Sequence, residues 1–247
     1  MSAQLVVIPA GRSHSNHAEV ARTIGIDIIA GRYPAGSKLP GDAEFTVLFG
    51  VSRPVLRESV KTLVAKGLLT TKARVGTVVR ERGAWNMFDP DVLAWHLDAG
   101  IDSRFLGDLA EIRLAVEPRA AALAAERRSA DDVAAMRAAV RQMAIESARG
   151  STAFAEADLA LHLRIASASG NPFMRSIGAV IEAALRSSFV LSAPADDEAY
   201  RITVAAHDRI VDAIEAGDGE AAASAMTTVI LNGRQRHAGA ATVPASK

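Results

Sequence analysis

The run Leu48-Phe49-Gly50-Val51-Ser52-Arg53-Pro54-Val55-Leu56-Arg57-Glu58-Ser59-Val60 constrains the fold more than any other stretch of the 247 residues. Gly50 supplies a flexible turn that feeds straight into a helix, with Ser52 placed to cap it and Pro54 in its first turn. Val55, Leu56, Val60, Leu63 and Val64 recur at helical spacing and face a core. Arg53, Arg57 and Lys61 recur every four residues on another face. A capped helix with arginines along one face is suited to a DNA major groove, where arginine reaches guanine O6 and N7 or clamps phosphate. Taken alone, the pattern fits an ordinary amphipathic helix with a solvated basic face equally well.

The surroundings decide between these readings. Val20, Ile24, Ile28 and Ile29 put a helix over residues 18–31, and the turn-rich Pro34-Ala35-Gly36-Ser37-Lys38-Leu39-Pro40 closes it. A short helix over residues 42–49 offers Phe45 and Leu48 to the arginine helix. Beyond Gly67, Leu68-Leu69-Thr70-Thr71 and Thr77-Val78-Val79 read as two strands. Between them Lys72, Arg74 and Gly76 form a basic, glycine-containing loop. The expected arrangement over residues 18–80 is a winged helix-turn-helix.

In order along about 60 residues, Gly36-Ser37-Lys38-Leu39-Pro40, Phe49-Gly50-Val51-Ser52-Arg53, Leu56-Arg57-Glu58, Lys66-Gly67-Leu68-Leu69 and Gly76-Thr77-Val78-Val79 resemble the DNA-binding domain of GntR-type transcription regulators. The resemblance implies that Ser52, Arg53 and Arg57 touch DNA and that Gly76 marks the wing tip. Lys61, Lys72 and Arg74 extend the candidate DNA surface. Many members carry an arginine where this chain has Ala43, which implies one contact fewer and an altered half-site.

Formal charge is zero overall but unevenly spread. Residues 18–82 hold 11 Lys/Arg against 6 Asp/Glu, a net of +5, whereas residues 83–247 carry −6. A basic end on an acidic remainder points to nucleic acid bound at one end only. No cysteine is present, which excludes disulfides, cysteine-ligated zinc and cysteine nucleophiles. Residues 1–17 carry no signal-peptide pattern and no apolar run approaches 18 residues, so a cytoplasmic protein without a membrane partner is expected. Residues 1–17 and 237–247 read as poorly ordered tails.

Residues 81–102 join the two halves. Trp85, Met87 and Phe88 are too apolar for a free tether, and Asp89-Pro90 starts a helix. This linker helix is expected to pack on both domains. From residue 103 to 236 the chain reads as six helices, near 103–128, 130–148, 152–169, 172–191, 198–216 and 219–236, forming an antiparallel all-α bundle. Ser129, Asp131 and Ser151 are candidate caps. The fold class is therefore mainly α, a winged helix-turn-helix followed by a helical bundle.

Asp158 and His162 lie four apart on an apolar helix face, and His207 occupies the inward side of a later helix. One carboxylate and two imidazoles suit a divalent ion such as Zn²⁺, Mn²⁺ or Ni²⁺. Asp-x₃-His alone equally describes a helix-surface hydrogen bond. The same half, through Glu111-Ile112-Arg113 with Glu117, Asp158-x₃-His162, Ala168-Ser169-Gly170-Asn171-Pro172 and the run from His207 to Asp218, resembles the FCD effector domain of the FadR branch of GntR regulators. That resemblance implies a metal held by Asp158, His162 and His207. A fourth histidine common in the family is replaced by Val229, which leaves a three-ligand site with open positions. Arg113 matches the position facing the effector pocket and would clamp a carboxylate; a surface ion pair with Glu117 is the plainer reading.

The linker run from Trp85 to Trp95, with Glu117-Pro118, is similar to the branch that represses galactonate and related sugar-acid operons. It implies a homodimeric repressor on a pseudo-palindromic operator, released by a carboxylic or sugar acid. Two readings stand beside it: a metal-free regulator answering to an acyl-coenzyme A, and a metal-dependent enzyme.

Overall fold

Two compact units meet the eye in the computed structural model, residues 1–100 and 101–247, of which residues 17–100, 103–147, 152–192 and 194–240 are described. In the first unit, α1 (His17–Ile29), α2 (Asp42–Phe49) and α3 (Arg53–Ala65) precede β1 (Leu69–Lys72) and β2 (Gly76–Val79). A 3-10 turn (Arg82–Ala84) then leads into α4 (Pro90–Ala99). The winged helix-turn-helix expectation is met. Gly50, at φ 62°, ends α2 in the left-handed conformation that a side chain disfavours. Its left-handed turn swings the chain into α3.

Leu56 and Leu63 are buried and Val60 and Val64 half-buried against the same core, together with Val20, Ile24, Ile28, Phe45, Leu69 and Val79. Val55 is only half-buried, and the position facing inward one turn later is a serine. Buried Ser59 meets its hydrogen-bonding need locally, its hydroxyl lying 2.9 Å from the carbonyls of both Val55 and His17. That anchors the start of α1 to α3.

The expected linker is an integral part of this unit. Asp89 caps α4 by accepting from the Asp91 and Val92 amides, with Pro90 at the first position. Trp95 is 4% exposed, in the core with α1. Lys66, at the end of α3, donates to both Asp89 carboxylate oxygens at 2.7 and 2.8 Å and pairs with Asp91 at 2.8 Å. Its ammonium also sits 5.6 Å from the Trp95 ring centroid.

The second unit is an all-α bundle of α5 (Ser103–Arg127), α6 (Ala130–Ser147), α7 (Thr152–Ala168), α8 (Pro172–Ser176), α9 (Gly178–Ser192), α10 (Asp197–Ala216) and α11 (Gly219–Ala240). α5 packs against α7, α9, α10 and α11, while α6 lies on α7 and α10. The core is Met136, Met143, Phe154, Leu161, Ile165, Ile210, Ile214, Met226 and Ile230.

Three details differ from expectation. The single helix over 172–191 is two, broken at Ile177; Gly178 lets α9 approach α7, since a Cβ there would lie 3.0 Å from Leu163 Cδ2. α11 runs to Ala240 rather than stopping at 236. Asp131, a candidate cap, instead lies inside α6, which begins at Ala130; Ser129 caps it as expected, the Asp132 amide donating to its hydroxyl and the Ser129 amide to the Asp132 carboxylate. Ser151 and residues 1–16 and 241–247 lie outside the described residues.

Candidate nucleic-acid interface and candidate metal centre

In the first unit α3 presents Ser52, Arg53, Arg57 and Lys61, all exposed. Ser52 occupies the N-cap position with extended backbone, yet its hydroxyl makes no capping bond. The expected capping bond is absent, and the residue is exposed. Lys61 reaches Glu58 at 2.8 Å, a pair with both side chains more than half exposed, which adds little to stability. Ala43 is exposed on α2, leaving that position with no donor.

β1 and β2 pair antiparallel with Lys72 opposite Gly76. Between them Arg74 takes φ 64° and Gly76 φ 106°. A non-glycine residue at positive φ is uncommon, so the tight turn is held by its strands while Arg74 stays exposed at its tip. Lys72, Arg74 and Gly76 therefore share one exposed, basic loop.

In the second unit, Asp158 and His162 come from α7 and His207 from α10. One donor atom from each lies within 4.8 Å of the other two. His162 is 1% and His207 2% exposed. His207 Nδ1 meets the Thr203 carbonyl at 2.7 Å; a carbonyl can only accept, so the proton sits on Nδ1. His162 Nδ1 is likewise engaged by the Glu117 carboxylate. Both imidazoles thus turn Nε2 toward Asp158. His207 Nε2 lies 2.9 Å and His162 Nε2 3.4 Å from Asp158 Oδ1. Asp158 Oδ1 and both Nε2 atoms are buried and meet one another, with no hydrogen-bond partner among the described residues.

Without a metal, charge on His162 answers the carboxylates: burial opposes it, but Glu117 and Asp158 raise its pKa to about 9, and a divalent cation would take that proton's place. The donor set, one carboxylate and two imidazoles each steadied through Nδ1, is the arrangement a divalent metal needs. Val229 is buried in the adjoining core and offers no fourth donor.

Glu117 links this cluster to Arg113. Its carboxylate pairs with the Arg113 Nε as well as with His162, and it is 3% exposed. Burial opposes ionisation, but Arg113 and His162 hold its pKa down at about 2. For Asp158, burial is likewise outweighed by the two histidines, which keep it well below the usual carboxylate range. Arg113 is itself only 8% exposed, so its pair with Glu117 is an interior one, not the surface pair considered above. Its Nη2 is buried without a hydrogen-bond partner among the described residues.

Two participants were missed by reading the sequence. Glu117 is expected from the sequence only as a motif residue and a surface partner of Arg113, and its contact with His162 lies between two helices that no spacing relates. Arg236 on α11 went unnoticed. Its Nε is buried with no hydrogen-bond partner among the described residues, and burial lowers its pKa against the pull of the Asp158 carboxylate. The available signal was its spacing of seven from Val229, which puts both on one helix face. Beside Arg113 lies a cavity of about 20 Å³ lined by Leu109, Ala184, Ile230 and Arg234 among others. That is room for one water.

Residues 16–79 match the model of the bacterial regulatory proteins of the gntR family, and residues 108–232 that of the FCD domain. The chain is 35% identical to the galactonate operon transcriptional repressor of Escherichia coli over 214 residues, covering 87% of this chain and 93% of that one. It is 32% identical over 213 residues to the regulator YieP of the same organism, covering 85% and 90%. A solved structure of the Listeria monocytogenes regulator Lar shares the fold, with a TM-score of 0.65 at 18% identity over 92% of this chain and 99% of that one.

Proposed function

The chain belongs to the gntR family of bacterial regulatory proteins and carries an FCD domain, and from that membership we propose that it represses a sugar-acid catabolic operon and leaves its operator when the acid binds. It is a transcription regulator, as its families and relatives are, and not an enzyme. The observation that carries the effector half of this reading is the set of unpartnered buried atoms in the second unit. Asp158 Oδ1 and the two Nε2 atoms call for a cation, and Arg113 Nη2 and Arg236 Nε call for anions beside it. A hydroxy acid satisfies both demands, and the galactonate repressor's likeness suggests an aldonate.

In this reading Asp158, His162 and His207 hold the divalent ion, which supplies a Lewis-acidic site for the acid's oxygens. Glu117 fixes the His162 ring and orients Arg113. Arg113 and Arg236 take the carboxylate through charge-assisted hydrogen bonds. The cavity beside Arg113 holds about one water, so a six-carbon acid enters only when α5, α9 and α11 part. An acid that binds only the parted form shifts the population toward it, and that difference in affinity is the whole source of the signal. Two copies of the chain would set two α3 helices on a pseudo-palindromic operator. The convergence of the three ligand-type side chains has no purpose in a metal-free acyl-coenzyme A sensor.

The test is metal content and thermal melting of the purified protein with galactonate, lactate and acyl-coenzyme A. Wild type should carry about one divalent ion per chain. His162→Ala should lose it, and Arg113→Ala should retain it while losing the galactonate-induced shift in Tm. A His162→Ala protein with full metal content, or a shift with acyl-coenzyme A alone, would overturn the proposal.

A further inference from the structure

We infer that Lys38 and Lys72 bracket Gly76 to form a seat for a backbone phosphate on the outer face of the wing, making Lys38 a DNA contact outside both α3 and the wing loop. The wing is wider than its two named strands. Lys38 pairs antiparallel with Val78. Around that bridge the Leu39 amide donates to the Thr77 carbonyl at 2.9 Å, the Gly36 amide to Val79 at 2.9 Å, and the Val79 amide to Ser37 at 3.0 Å. β2 is therefore flanked on both sides, by β1 and by residues 36–39.

Side-chain alternation sorts the two faces. Leu39, Leu69 and Val79 point into the core. Lys38, Val78 and Thr70 form one row across the opposite face, and Gly76 and Lys72 form the next. The Lys38 side chain leans from its own row toward that of Gly76. A Cβ built on Gly76 would come within 2.8 Å of Lys38 Cε and 3.6 Å of its Nζ. One ammonium thus lies against Gly76 while Lys72 stands beside it on the other strand. With no side chain at residue 76, the Lys38 stem lies where a Cβ would stand and its ammonium is held over the strand opposite Lys72.

Both lysines are exposed. Neither pairs with a carboxylate among the described residues, unlike Lys61 and Lys66 in the same unit. Positive charges held by β-pairing and left without acidic neighbours suit sequence-independent phosphate contact.

The inference rests on the reading that this unit binds DNA, and the experiment separates the two. Affinity of the full chain for a mixed-sequence duplex is followed between about 50 and 200 mM salt. Removing one phosphate contact flattens the slope of log K against log salt by about 0.9. Lys38→Met keeps the aliphatic stem but not the charge, so its shortfall relative to wild type should grow about 3.5-fold from 200 to 50 mM. Lys38→Arg should retain the wild-type slope. A Lys38→Met protein with the wild-type slope and an unchanged Tm would overturn the inference while leaving DNA binding intact. Failure of wild type to bind the duplex at 50 mM would remove the DNA-binding reading and this inference together.

Discussion

Glu117 shows how one side chain can set the character of a site. It accepts from His162 Nδ1 and pairs with Arg113 Nε, so it fixes an imidazole and a guanidinium at once. Glu117→Gln keeps the shape but removes the charge that favours Nδ1–H on His162. Carboxylate partners of ligating histidines typically tune metal affinity by about 10- to 100-fold, so Glu117→Gln should weaken binding of added Zn²⁺ by that order in a chelator competition. Unchanged affinity would mean that His162 is oriented by packing alone. The ligand set itself was legible because Asp158 and His162 share a helix, and four-residue spacing puts them on one face. The role of Glu117 was not, because it depends on α5 lying against α7. No spacing within either helix encodes that contact. The unmade Ser52 cap is a smaller lesson of the same kind: residue type and position are right, but the hydroxyl makes no bond to the helix amides.

At the scale of elements, local chemistry was legible wherever a boundary is written in one or two residues. Gly50, Asp89-Pro90 and Gly217 each end or begin a helix where the sequence suggests. The break at Ile177 was hidden because the apolar pattern runs through it, and only Gly178 marks it. Likewise nothing local says that α4 belongs to the first unit. That follows from the fit of Trp95 against Gly25, where a Cβ would come 2.3 Å from the indole Cε3. Gly25→Ala sets two effects against each other. Alanine favours a helix interior by about 1 kcal/mol, whereas forcing a methyl into a filled core costs about 1–3 kcal/mol. With the ring fully enclosed, overpacking should win, and urea melting of the first transition should move to lower denaturant. A neutral or stabilising Gly25→Ala would mean that the α1–α4 contact relaxes easily.

For the whole molecule, the charge split between a basic first third and an acidic remainder matches the division into a DNA-binding unit and an FCD bundle. It keeps phosphate attraction at one end. Regulation then requires that occupancy of the bundle change the free energy of the DNA complex, and linkage makes this coupling reciprocal. If galactonate weakens operator affinity by some factor, operator DNA must weaken galactonate affinity by the same factor. Couplings of this kind are commonly about 5- to 150-fold. We therefore expect the galactonate Kd, read by calorimetry, to rise by such a factor when saturating operator is present. Arg113→Ala should abolish the shift in both directions without altering the operator Kd measured in the absence of acid, since Arg113 lies in the bundle and not on α3 or the wing. A galactonate Kd indifferent to operator would show that the acid binds without signalling. The unpartnered cluster around Asp158 would then be a store of metal-dependent stability rather than a sensor.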